Sequence, residues 1–71
     1  MDNLNSNNPQ KDLIRSERII KGKREFNIKY YLKANLRIEL FVCDKDGDIV
    51  FYKDNISDLQ KAQKIAFDVW S

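Results

Sequence analysis

The chain has 71 residues and a formal net charge of +2, with 42% hydrophobic and 34% charged residues. A chain of this length holds one small domain, and its apolar content excludes a wholly disordered protein. The absence of histidine excludes Ser-His and Cys-His nucleophile pairs. We therefore expect a protein that is not an enzyme.

Cys43 is the only cysteine, so no disulfide can form within the chain. Small secreted domains usually depend on several disulfides, and the N-terminal residues lack the basic start and apolar run of a secretory signal. No window approaches the roughly 18 apolar residues of a membrane span. These features predict a cytoplasmic location, or an equivalent reducing compartment, without membrane contact.

The first residues allow more than one structure. Residues 1–8 are short and polar, and we expect them to form a flexible tail. Over 9–21 two interpretations stay open. Asn8-Pro9 is typical of a helix start, whereas the β-branched pair Ile19-Ile20 favours a strand over about 17–21.

Apolar and polar residues alternate over about 24–33 and again over about 36–43, which is the period of strands with one buried side. A turn at Ala34-Asn35 connects them, because asparagine tolerates a positive φ. The residues expected to face inward are Phe26, Ile28, Tyr30 and Leu32 in the first strand and Leu36, Ile38, Leu40 and Val42 in the second.

The dipeptide Asp46-Gly47 stands between two apolar runs, which predicts a β-hairpin and a further strand at about 48–53. Asp44, Asp46 and Asp48 also have the spacing of the first EF-hand ligands. However, Ile49 stands where that motif requires glycine, and Asn55 where it requires glutamate. We interpret the acidic stretch as a hairpin turn without a metal.

A helix is predicted over about 57–70. Ser57 and Gln60 match a capping box at its start. The small residues Ala62 and Ala66 would let the helix approach the sheet closely. The apolar stripe at helical spacing consists of Leu59, Ala62, Ile65, Ala66 and Val69.

Together these elements predict an α+β domain, a three-stranded antiparallel meander packed against one C-terminal helix, with 17–21 as a candidate fourth strand. The predicted domain spans 16–71, after a flexible or partly helical extension over 1–15. Three strands followed by a helix resemble the DNA-binding arms of phage and transposon integrases and plant AP2 domains. The resemblance is one of architecture, so it assigns no functional residue.

The charge is uneven along the chain: residues 15–37 carry a net +6, whereas residues from 44 onward carry a net −2. Such a basic segment can attract phosphates or acidic partners. On the sheet face opposite the helix, cationic and aromatic side chains would interleave, as they do in platforms that hold single-stranded nucleic acid. The predicted binding residues are Arg24, Lys29, Tyr31, Lys33, Arg37, Phe41 and Lys53, with Tyr52 beside them.

We therefore predict a small non-enzymatic binding protein that contacts nucleic acid through this face. The alternative is a protein-interaction subunit or inhibitor, an accessory protein of phage or organelle type that docks on a larger complex or forms a homodimer. Gly22 and Gly47 are isolated, so no glycine-rich phosphate loop is present, and Cys43 alone lacks zinc-site spacing. No cofactor is expected.

Overall fold

Four strands and one helix follow each other along the chain in the computed structural model, which describes residues 11–70 except the Trp70 side chain. The predicted α+β fold is confirmed, with a four-stranded antiparallel sheet in the order β1-β2-β3-β4. The tail predicted over 1–8 lies outside the described residues. The elements are β1 (Lys11–Lys21), β2 (Arg24–Lys33), β3 (Ile38–Asp44), β4 (Ile49–Ile56) and α1 (Leu59–Trp70).

Strand β1 decides between the two interpretations of the N-terminal segment. Lys11 already pairs with Lys33 of β2, so the helical alternative is wrong for residues 11–21. The domain also starts before residue 16, because residues 11–15 belong to the sheet. Eight of the eleven residues of β1 are exposed and a register shift lies between Leu13 and Arg15, which is why the sequence shows no regular strand pattern there.

The alternation predicted for β2 and β3 is confirmed, and it builds the core. Ile28 pairs with Val42 and Tyr30 with Leu40, and none of these four side chains has any exposed surface. Burial of such side chains stabilises the fold by about 1.5–3 kcal/mol each. The other buried apolar residues are Phe26, Ile38, Ile56, Ala62 and Ala66.

The turn between β2 and β3 differs from the expectation. The residue with a positive φ is Leu36, at 66°, whereas Asn35 uses its side-chain oxygen to accept the backbone N–H of Arg37 at 3.0 Å. Leu36 therefore lies in the turn, 72% exposed, and the prediction that it faces the core is wrong. Its N–H donates to the carbonyl of Lys33 at 2.9 Å, which closes the turn.

The hairpin predicted at Asp46-Gly47 is confirmed. Gly47 adopts a φ of 90°, and its N–H donates to the Asp44 carbonyl at 3.0 Å. One carboxylate oxygen of Asp44 accepts the backbone N–H groups of Asp46 at 2.9 Å and Asp48 at 3.0 Å. The acidic stretch is thus a turn in which Asp44 satisfies backbone donors.

Helix α1 covers one side of the sheet. Its N-cap is Asp58 rather than Ser57, since the Asp58 carboxylate accepts the N–H of Lys61 at 2.8 Å. Ala62 and Ala66 are fully buried, and α1 packs mainly on β3, with further contacts to β4 and β2. Strand β1 lies beyond the part of the sheet that α1 covers most closely.

Candidate binding face

The side of the sheet opposite α1 carries no helix, and we call it the open face. Side chains reach it from all four strands, because they alternate there with the buried core residues and pair with one another across strands. It consists of Lys11, Leu13, Ser16, Arg18, Ile20, Glu25, Asn27, Lys29, Tyr31, Lys33, Glu39, Phe41, Cys43, Ile49, Tyr52 and Asp54.

Three aromatic rings form a row across the middle of the open face. The ring centroids of Tyr31 and Phe41 are 5.5 Å apart in an edge-to-face arrangement, at 85°. Those of Phe41 and Tyr52 are 4.9 Å apart at 54°. Each such ring pair stabilises a fold by about 0.5–1.5 kcal/mol beyond the burial of its apolar surface. The row therefore holds β2, β3 and β4 in register on this side, and Tyr52 remains 47% exposed.

Glu39 lies opposite Tyr31 on this face and is only 7% exposed. One of its carboxylate oxygens accepts Nζ of Lys11 at 2.8 Å, and the other accepts the hydroxyl of Tyr52 at 2.6 Å. Burial opposes the charged form, but these two donors hold the pKa of Glu39 below its ordinary value. The hydrogen bond to Glu39 raises the pKa of Tyr52 to about 12.

A second ion pair lies at the β2–β4 end of the open face. Nζ of Lys33 is 2.8 Å from a carboxylate oxygen of Asp54. This hydrogen bond raises the pKa of Lys33 and lowers the pKa of Asp54. Nearby, Nε of Arg37 donates to the side-chain oxygen of Asn55 at 2.9 Å, and Nη2 donates to its carbonyl at 3.2 Å. The cations of Lys33 and Arg37 are thus already engaged within the protein.

Two predicted site residues, Lys53 and Arg24, lie on the helix side of the sheet. Lys53 pairs with the buried Leu40, and it alternates along β4 with Tyr52, which lies on the open face. It therefore lies on the helix side by the ordinary alternation of a strand. The guanidinium of Arg24 lies 4.9 Å from the ring centroid of Phe26, a core residue, so Arg24 also lies on the helix side.

The remaining predicted residues Lys29, Tyr31 and Phe41 meet in one place. They border a groove of about 280 Å³ on the open face. Lys29 is exposed and has no hydrogen-bond or ion-pair partner among residues 11–70. The groove is lined by Lys11, Lys29, Tyr31, Phe41, Cys43, Gly47 and Ile49.

Sequence reasoning missed Lys11 and Glu39 as members of this face. Glu39 alternates with the inward-facing Ile38 and Leu40, so its outward position could be read from the strand pattern. The contact of Glu39 with Lys11 could not be predicted, since Lys11 comes from a segment that showed no regular strand pattern. The face predicted to be basic is therefore nearly balanced in charge, with Arg18 and three lysines against Glu25, Glu39 and Asp54.

Within residues 11–70, no three His, Cys, Asp or Glu side chains come close enough to hold a metal ion. The single helix of the described chain is too short and too polar to cross a membrane. Comparison of the chain with protein-family models, curated proteins and solved structures finds no match. The open face, with its rings, exposed lysine and groove, is suited to binding through stacking and a few charge contacts.

Proposed function

We propose that this chain is a non-enzymatic binding module that holds single-stranded nucleic acid on its open face. The observation that carries the proposal is the groove of about 280 Å³, where the rings of Tyr31 and Phe41 lie beside the ammonium groups of Lys11 and Lys29. Rings of this kind stack on unpaired bases, and each stacked base contributes about 1–3 kcal/mol. The single cysteine is in keeping with a cytoplasmic or similarly reducing compartment.

The charges of the open face favour a single strand over a duplex. Lys11 and Lys33 are paired with carboxylates, which leaves Lys29 as the lysine available to a phosphate. A duplex binder depends on many phosphate contacts, whereas a strand that stacks on rings needs few. We expect the logarithm of the binding constant to change with the logarithm of salt concentration with a slope of only about −1.

Fluorescence anisotropy with a short labelled oligothymidylate and with a duplex of equal length tests the proposal. We expect the single strand to bind more tightly, and Lys29→Glu to weaken binding at least tenfold. The matched control is Lys64→Glu, which makes the same charge change at an exposed position of α1 and should bind like the parent. No binding of the single strand at low salt, or equal losses in both variants, would contradict the proposal.

A protein partner is the second candidate, since exposed apolar side chains surround the groove. Leu13 is 51% exposed, Ile49 57% and Tyr52 47%, and the neighbouring charges are neutralised in pairs. Paired charges and exposed aromatic residues are typical of protein interfaces. Leu13→Ser leaves Lys29 and the groove residues in place, so it separates the two candidates. It should spare oligonucleotide binding but weaken a protein contact or a homodimer, which sedimentation measures.

A further inference from the structure

The ammonium group of Lys11 lies in a nearly complete binding site made by other strands. Its Nζ is 5.1 Å from the ring centroid of Tyr31 and 5.5 Å from that of Phe41. It is also 2.8 Å from a carboxylate oxygen of Glu39. Two aromatic rings and a carboxylate are the groups that recognise ammonium ligands in general, through cation–π attraction and a charge-assisted hydrogen bond.

The site is built without any contribution from β1. Tyr31 belongs to β2, Glu39 and Phe41 to β3, and Tyr52 to β4, and the rings contact one another directly. The hydroxyl of Tyr52 fixes the Glu39 carboxylate from the side away from Lys11. Removal of the Lys11 side chain would therefore leave a carboxylate that Tyr52 still holds in place, beside the groove that Lys11 lines.

The geometry discriminates between the two common cationic side chains. A guanidinium binds a carboxylate best through two parallel hydrogen bonds, which require both oxygens. One oxygen of Glu39 already accepts the Tyr52 hydroxyl at 2.6 Å, so a guanidinium would have to share that oxygen with Tyr52. A compact ammonium group needs only one such acceptor.

Lys11 also occupies a position from which another ammonium group can easily displace it. It is the first residue of β1, an outer strand of the sheet, and its side chain is 31% exposed. It lines the groove of about 280 Å³, so its departure opens the site directly to solvent. No strand has to leave the sheet for another ammonium group to enter.

We infer that Tyr31, Glu39, Phe41 and Tyr52 form a recognition site for a primary alkylammonium group, which Lys11 fills within the chain and which a lysine side chain of another protein can fill instead. The ligand class is lysine rather than arginine. The site shares the rings of Tyr31 and Phe41 with the groove of the proposed function, but its acceptor is the Glu39 carboxylate and it does not use Lys29.

Chemical rescue of Lys11→Ala tests this inference, with Nα-acetyl-lysine-methylamide as the probe. The variant should be less stable than the parent, and the probe should restore its thermal midpoint in a saturable way. A ligand at ten times its dissociation constant shifts the folding equilibrium about elevenfold. The arginine analogue at equal concentration should have a much smaller effect. If the variant is unfolded, the same titration measures refolding by circular dichroism.

Two further variants provide the controls. Lys33→Ala removes the other lysine of the open face that pairs at 2.8 Å, but within residues 11–70 Lys33 lies over no aromatic ring, and the lysine probe should not rescue it. The double variant Lys11→Ala/Glu39→Gln should not respond either. Rescue of all variants alike, rescue by sodium chloride, or no rescue of Lys11→Ala would overturn the inference.

Discussion

The hydroxyl of Tyr30 donates a 2.9 Å hydrogen bond to Glu17, which joins the fully buried centre of β2 to the outer strand β1. Burial opposes the charged form of Glu17, but hydrogen bonds from Arg15 and Tyr30 hold the pKa of this carboxyl below its ordinary value. Burial and the bond to Glu17 raise the pKa of the Tyr30 phenol. The Tyr30–Glu17 hydrogen bond thus stabilises the packing of β1 on the core, where β1 makes few apolar contacts.

We expect Tyr30→Phe to lower the free energy of unfolding by about 1–3 kcal/mol, because it removes a hydrogen bond to a carboxylate and keeps the ring in place. Urea unfolding followed by circular dichroism measures the loss. The control is Tyr31→Phe, since the Tyr31 hydroxyl has no hydrogen-bond partner among residues 11–70. Equal effects of the two variants would show that the Tyr30–Glu17 bond contributes nothing.

Acid should destabilise the fold through Glu17 and Glu39. Both carboxyls have a folded-state pKa below the ordinary value of 4.5, so the unfolded chain binds more protons as the pH falls. Their stabilisation is fully present above that value and is lost as the pH drops through the folded-state pKa. Glu39→Gln should therefore show a smaller difference in stability between neutral pH and about pH 3.

The measurement is urea unfolding at several pH values with parent, Glu39→Gln and Tyr52→Phe. Tyr52→Phe removes one of the two donors to Glu39, so its pH dependence should fall between those of the other two proteins. An unchanged pH dependence in Glu39→Gln would contradict the role assigned to Glu39.

Two turn positions should respond in opposite directions to substitution. Leu36 has a φ of 66° and is 72% exposed, so Leu36→Gly relieves backbone strain and loses little burial. We expect a gain of up to about 1 kcal/mol, because glycine adopts this conformation without steric cost. Gly47→Ala places a Cβ in open space but at a φ of 90°, and it should cost about 1–2 kcal/mol. Thermal unfolding measures whether Leu36→Gly raises the stability and Gly47→Ala lowers it.

The distance between α1 and the sheet depends on two small residues. Ala66 is fully buried, so Ala66→Leu would push the helix away and should cost about 1–3 kcal/mol. Gln60→Leu introduces the same side chain at an exposed position of α1 and serves as the control. Equal stability of the two variants would show that α1 does not pack closely at Ala66.

The sequence alone determined the elements whose side chains repeat with one regular period. β2 was predicted with its observed bounds, Arg24–Lys33, because burial of every second residue leaves an unambiguous pattern. The hairpin at Asp46-Gly47 and the stripe of α1 follow from equally local rules. The core residues of β2, β3 and α1 were therefore readable in advance.

Only the tertiary structure showed that β1 is a strand and which side chains make up the open face. Eight of the eleven residues of β1 are exposed, so the strand has no period-2 apolar pattern, and only its pairing with β2 shows that this segment is a strand. The contact of Lys11 with Glu39 joins residues 28 positions apart, which no local pattern encodes. Charge balance on a surface depends on such distant pairs, whereas burial along one strand depends on neighbours in the chain.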